Sequence, residues 1–289
     1  MSFALALLAA QVGALNTPGA APPLPHERDA TPLRPPPRNR AKAAGAPAPI
    51  AAEKVCPQTG DFAADADASR AWAARASGTE RAKANECLGT LLGMTGRWTE
   101  SATAFGEARQ EAGTPQWRAR LGAAAGEAAL NASDPATALT MLDAAIVDAL
   151  DSPAMSGFVA LLRARALVAL KRDAEAEAPL AQARAAAPND AEIWLLSATL
   201  SRRLNKLTEA QAQIEKAAAL KPVDPAIGLE AGVIAVLGGR DEAARRSWQS
   251  VMSTAPDSAE ASTAKGYLAQ LDPALAAKPT PKPTEPPSR

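Results

Sequence analysis

Three prolines, Pro188, Pro222 and Pro256, stand 34 residues apart in alanine- and leucine-rich sequence. No continuous helix runs through such points, because proline lacks the amide donor and clashes with the preceding turn. The residues before each proline keep one pattern. Five before come Ala183, Ala217 and Val251; eight before, Leu180, Ile214 and Trp248; twelve before, Ala176, Ala210 and Ala244. Spacings of four and three put a large apolar residue and its small neighbours on one helical face. A fixed period of this length marks a stack of helical units, each burying its apolar face only against its neighbours.

Composition narrows the fold class to all-α. Apolar residues are 47 % of the chain but aromatics only 3 %, the excess being alanine. Alanine is the best helix former and lets helices approach closely. Hardly any run of Val, Ile, Thr and aromatics is present from which a strand could form. Lys plus Arg and Asp plus Glu are 31 each, so bulk charge pulls the chain towards neither nucleic acid nor acidic lipid.

The repeating body resembles the tetratricopeptide repeat family, whose 34-residue unit is a pair of antiparallel helices. The unit 191–224 carries Trp194, Ala198, Ala210, Ile214, Ala217 and Pro222 at the matching places; 225–258 carries Gly232, Gly239, Ala244, Trp248 and Pro256. The unit 82–115 offers Leu88-Gly89, Leu92, Gly96, Phe105 and Ala108, with Ser101 where a small alanine is usual. Units 119–152 (Gly126, Ala138, Leu142, Ala145) and 157–190 (Leu167, Ala176, Leu180, Ala183, Pro188) match less fully. A few extra residues separate the first three units, so strict register holds only from residue 157. The resemblance implies a right-handed α-solenoid of five units across 59–272. Asp61 to Ser77 is expected as the second helix of a degraded unit, with Ala68 and Trp72 in its small and aromatic places. Ala259 to Leu271 is expected as a closing helix with Lys265 and Gln270 towards solvent.

The ends differ in composition. Met1 to Ala14 reads as an export signal, an apolar stretch from Phe3 followed by small residues at Val12-Gly13-Ala14. No Lys or Arg precedes it, so an upstream start or a merely apolar N-terminus stays open beside that reading. The expected location is periplasmic or secreted, or cytoplasmic if this is not a signal. Residues 15–58 and 273–289 are rich in proline and poor in large apolar side chains, the pattern of disordered linkers. No segment reaches the roughly 18 uncharged apolar residues of a membrane helix. The two cysteines, Cys56 and Cys87, allow one disulfide in an exported chain; two unrelated thiols are the alternative.

Little in the chain can do chemistry. The one histidine, His26, lies in the proline-rich linker, away from any fixed partner for acid–base or nucleophilic work. Two cysteines 31 residues apart make no zinc site, and no metal or cofactor is expected. Asp61, Asp65 and Asp67 are better read as carboxylates at a helix start than as a cation site. The stretch Gly89 to Arg97 lacks the Gly-Lys-Ser/Thr ending of a phosphate loop. Asn131-Ala132-Ser133 reads as an inter-helix turn, and Trp194 and Trp248 as core residues. Trp117 falls between units.

The expected function is therefore non-catalytic: a protein- or peptide-binding scaffold or assembly factor of the cell envelope. An accessory docking module of an envelope enzyme is the alternative, with a carboxylate-only hydrolase behind it. In the resembled family the first helices line a groove. The matching positions here are Lys83, Glu86, Arg120, Glu127, Phe158, Leu161, Arg165, Glu192, Leu195, Arg202, Arg203, Leu229 and Val233. A modest basic excess near Arg165, Arg202 and Arg203, beside an apolar strip, suits an acidic, partly apolar peptide. Solvated or internally paired arginines are the competing reading.

Overall fold

The computed structural model describes residues 56–271. The export segment, the linker as far as residue 55 with His26, and the tail 273–289 lie outside the described residues.

Among the described residues are twelve α-helices and no strand. They are α1 Phe62–Ala73, α2 Gly78–Met94, α3 Trp98–Glu111, α4 Pro115–Asn131, α5 Pro135–Asp148, α6 Pro153–Ala169, α7 Asp173–Ala186, α8 Ala191–Arg203, α9 Leu207–Leu220, α10 Pro225–Leu237, α11 Asp241–Thr254 and α12 Ala259–Leu271. Each helix packs on the next; α2–α3, α4–α5, α6–α7, α8–α9 and α10–α11 form close pairs, and α1–α2 and α3–α4 pack comparably. The result is a solenoid of five helix pairs flanked by α1 and α12.

The turn within each pair is built alike. Its middle residue has a left-handed backbone: φ is 74° at Gly96, 60° at Ser133, Lys171 and Asn205, and 70° at Gly239. The following N–H reaches back five residues, Arg97 to the Leu92 carbonyl (2.9 Å) and Lys206 to that of Ser201 (2.8 Å), for example. This bond closes the helix end and satisfies a carbonyl that the helix leaves free. Asn131 ends α4 and Ser133 sits at the left-handed position, so the Asn-Ala-Ser stretch is an inter-helix turn. Between pairs, Pro188, Pro222 and Pro256 each stand two residues beyond a helix end.

The extra residues of the first three units lengthen a helix. α2, α4 and α6 have 17 residues, whereas α8 and α10 have 13. Each long helix thus begins one turn before its expected unit. Thr114 and Ser152, each followed by proline at the first helical position, cap two of those added turns through their side chains. Trp117, expected between units, accordingly lies inside α4.

Packing is set by small residues on first helices opposite large ones on second helices. A Cβ at Gly89 would stand 2.9 Å from the Phe105 ring, and one at Gly126 would overlap Leu142. Ala198 with Ile214, and Ala164 with Leu180, share core clusters at the equivalent places. Ser101 is buried and donates to the Gly89 carbonyl (2.7 Å), which removes the cost of a hydroxyl where alanine is usual.

Two expectations about side chains need correction. In α1 the small buried residue is Ser69, with Trp72 and Ala73 beside it, while Ala68 faces solvent. Steps of four and three residues from Asp65 to Ser69 to Trp72 set that face, and Ala68 is one position off it. Trp194 is only partly buried: its Nε1 donates to the Pro188 carbonyl (2.8 Å), and the Arg184 guanidinium lies 5.6 Å from its ring centre. It spans the connection between units and packs at the edge of the core rather than within it.

Candidate functional site

A stripe of incompletely buried residues runs along each first helix: Thr79, Lys83, Glu86, Thr90 and Met94 on α2; Gln116, Arg120 and Glu127 on α4; Phe158, Leu161, Arg165 and Val168 on α6. Glu192, Thr199, Arg202 and Arg203 continue it on α8, and Leu229, Val233, Val236 and Leu237 on α10. Steps of three and four residues keep each stripe on one face. First helices of successive pairs touch directly, α4 with α6, α8 with α10 and α10 with α12. Across the second helices, by contrast, the long side chain of Arg109 on α3 spans to the Ala144 carbonyl (3.0 Å) and Asp148 (2.5 Å) on α5. The first-helix stripes therefore adjoin from α4 to α6 and from α8 to α10.

The charged members of this face are unequally engaged. At its start, Glu86 accepts from Trp117 Nε1 (2.8 Å) and pairs with Arg120 (2.7 Å). Lys83 pairs with Glu80 at 3.4 Å. Further along, Arg202 and Glu230 form two bonds of 2.6 and 3.3 Å, their side chains only 14 % and 13 % exposed. Arg203 pairs with Asp173 at 2.8 Å. Sequence reasoning missed Trp117, Glu230 and Asp173; Thr114-Pro115 was the signal for the turn that carries Trp117. Glu127, Arg165 and Glu192, in contrast, have no side-chain ion pair or hydrogen bond among the described residues.

The apolar members divide in the same way. Leu195 is a core residue, 9 % exposed and packed with Ala198, Ile214 and Ile227, so it is not available at the surface. Leu229 and Val233 pack into the cluster that α12 closes with Ala261 and Ala264. Leu161 is partly covered by the central core. Phe158 is 41 % exposed and joins none of the apolar clusters of the described residues.

Other candidate groups have structural roles. Asp61 caps α1 by accepting from the Ala63 and Ala64 amides (3.0 and 3.1 Å). Buried Asp65 accepts from the Thr59 amide and hydroxyl (2.9 and 2.8 Å), and Asp67 pairs with Arg70 (2.6 Å). Cys56 and Cys87 are joined in a disulfide, Cα atoms 5.5 Å apart, and Cys87 packs with Trp72, Ala73 and Ala84. An open cavity of about 480 Å³ lies between α1 and the α2–α3 pair, lined by Arg70, Arg81, Asn85, Leu88, Glu100 and Glu107 among others. Its charges are engaged: Arg81 with Glu111, Asn85 with Glu107 (3.2 Å), and Arg70 with Asp67 and Glu100. The Arg97 guanidinium, bonded to Glu100, holds that carboxyl below the usual range, and Arg172 does the same to Glu175.

Comparison with solved structures decides the fold. YrrB, described as a TPR protein with an unusual peptide-binding site, superposes with a TM-score of 0.53 at 19 % identity, covering 64 % of this chain and 92 % of that one. The chain has the tetratricopeptide-repeat fold. MamA from Desulfovibrio magneticus RS-1, residues 41 to its end, matches this TPR array with a TM-score of 0.54 at 20 % identity, covering 61 % and 97 %. A MamA RS-1 double mutant gives 0.54 at 21 %, covering 60 % and 93 %. No protein-family model and no curated protein matches the chain. At these identities the TPR likeness carries the architecture; the surface chemistry of the array is this chain's own.

Proposed function

We propose that this chain is a non-catalytic scaffold of the cell envelope that binds an extended peptide segment of a protein partner along its first-helix face. One observation carries the reading: Phe158 stands 41 % exposed on the first-helix face of α6. A large aromatic left at the surface of a packed array is the kind of group that anchors a partner. The peptide-binding description of YrrB supports the same mode. Where acids of this face meet a charged neighbour, that neighbour is an arginine, which favours binding over carboxylate-pair hydrolysis.

An acidic partner was expected from Arg165, Arg202 and Arg203. Arg202 and Arg203 stand in ion pairs with this chain's own acids, which leaves Arg165 alone of the three, so the apolar part of that expectation is the part we keep. The envelope assignment rests on the Met1–Ala14 pattern and on the Cys56–Cys87 bond, since disulfides persist in oxidising compartments. Crosslinking in the native envelope fraction, with the wild-type chain beside Phe158→Asp, tests the proposal. One partner crosslinked to the first-helix face and lost with Phe158→Asp is the expected result. Equal crosslinking by both chains would move the site elsewhere.

A further inference from the structure

The open cavity between α1 and the α2–α3 pair lies on the side of α2 away from the first-helix stripe. Asn85, Leu88 and Leu92 line it at steps of three and four residues, whereas Lys83, Glu86 and Thr90 keep to the other side of the helix. Its floor is apolar, formed by buried Ala73, Leu88, Leu92 and Ala104. At one end three oxygen acceptors come together. Asn85 is only 4 % exposed, and its Nδ2 donates to Glu107 Oε2 at 3.2 Å. That leaves Asn85 Oδ1 and Glu107 Oε1 without a partner among the described residues. Thr103, one turn before Glu107 on α3, also lines the cavity. Its hydroxyl donates to the Thr99 carbonyl (3.0 Å), so its lone pairs stay open. The cavity's two guanidinium groups are engaged elsewhere, Arg81 with Glu111 and Arg70 with Asp67 and Glu100. Glu107 meets only the neutral Asn85 amide, so it keeps its charge uncompensated.

We propose that this cavity takes the side chain of a lysine on a protein partner, its ammonium at Glu107, Asn85 and Thr103 and its methylene stem over Leu88 and Leu92. An ammonium carries three donors and no acceptor, which matches three acceptors at one end of the cavity. Glu107 has one oxygen free, which suits a point charge; the planar fork of an arginine is best met by both carboxylate oxygens. A lysine stem also buries against apolar surface beside its charge, and the cavity floor supplies that surface. Asn85 and Leu92 stand two turns apart, about 10 Å along α2, so the stem lies along the helix rather than across it. The site is separate from the Phe158 face and stands without it.

The test uses the full chain, leucine-methyl NMR and three probes. They are N-acetyl-lysine N-methylamide, the norleucine compound with the same stem and no charge, and n-pentylamine. The lysine compound should shift the Leu88 and Leu92 methyls and bind about tenfold tighter than the norleucine compound, the weight of one hydrogen-bonded charge. Glu107→Gln should remove that preference. Ala74→Trp, at an exposed lining position, should block the lysine compound with helix content unchanged. Equal binding of the lysine and norleucine compounds, or a preference that survives Glu107→Gln, overturns the proposal. So does the absence of any shift at Leu88 and Leu92 up to the solubility limit of the lysine compound. Shifts from n-pentylamine without shifts from the lysine compound overturn it as well, because the site would then take a free alkylamine.

Discussion

The indole of Trp248 lies against Gly232, sixteen residues earlier, where any Cβ would overlap the ring; its N–H donates to the Leu229 carbonyl at 3.1 Å. Gly89 with Phe105 and Gly126 with Leu142 repeat the relationship at the same separation. Gly232→Ala gains helix propensity, worth up to about 1 kcal/mol, but forces the indole to shift. Overpacking of this kind costs roughly 1–3 kcal/mol, so thermal unfolding should show a net loss. Gly266 on α12 meets nothing within 4 Å, and Gly266→Ala should instead raise the melting temperature.

Lys171 and Ser133 hold φ of 60° where two other turns use Gly96 and Gly239. A left-handed backbone costs a residue with a Cβ about 1–2 kcal/mol, part of which glycine returns as lost chain entropy. Lys171→Gly should therefore stabilise the array by about 0.5–1 kcal/mol. Asn205→Gly should change little, since asparagine tolerates this conformation. Urea unfolding with an unchanged slope checks both.

The Cys56–Cys87 bond closes a 31-residue separation. In the chain-entropy model such a loop contributes about 3–4 kcal/mol. Because units of a repeat array are stabilised by neighbours, the loss on reduction should be concentrated in α1 and α2. Hydrogen exchange on reduced protein should show faster exchange there, with α8 to α11 nearly unchanged. Uniform acceleration along the array would contradict this distribution.

Glu100 and Glu175 have carboxyl pKa values lowered chiefly by hydrogen bonds from Arg97 and Arg172. A lowered folded-state pKa contributes stability above the unfolded value, and that stability is lost as pH falls through the folded one. Both groups are exposed, so the effect is read at the residues themselves. Carboxyl-detected NMR should place both titrations below the usual range, and Arg97→Ala should raise that of Glu100 alone, Arg70 still lying 3.8 Å from it.

The all-α class, the 34-residue period and the faces of most second helices were legible in the sequence, because those depend on local propensity and on spacing along one helix. Thr114-Pro115 and Ser152-Pro153 also marked the longer first helices, although the repeat register alone hid them. Ala68 was misplaced because the repeat register carried into α1 is one position off the face that α1 buries. The charged groove positions could be named from spacing, but which of them are neutralised depended on residues 28 to 34 positions away. Only the packed array brings Glu86 to Arg120 and Glu230 to Arg202, and so decides which charges are left to meet a partner. A side chain's period is a property of its own helix; whether its charge is neutralised is a property of the helix beside it.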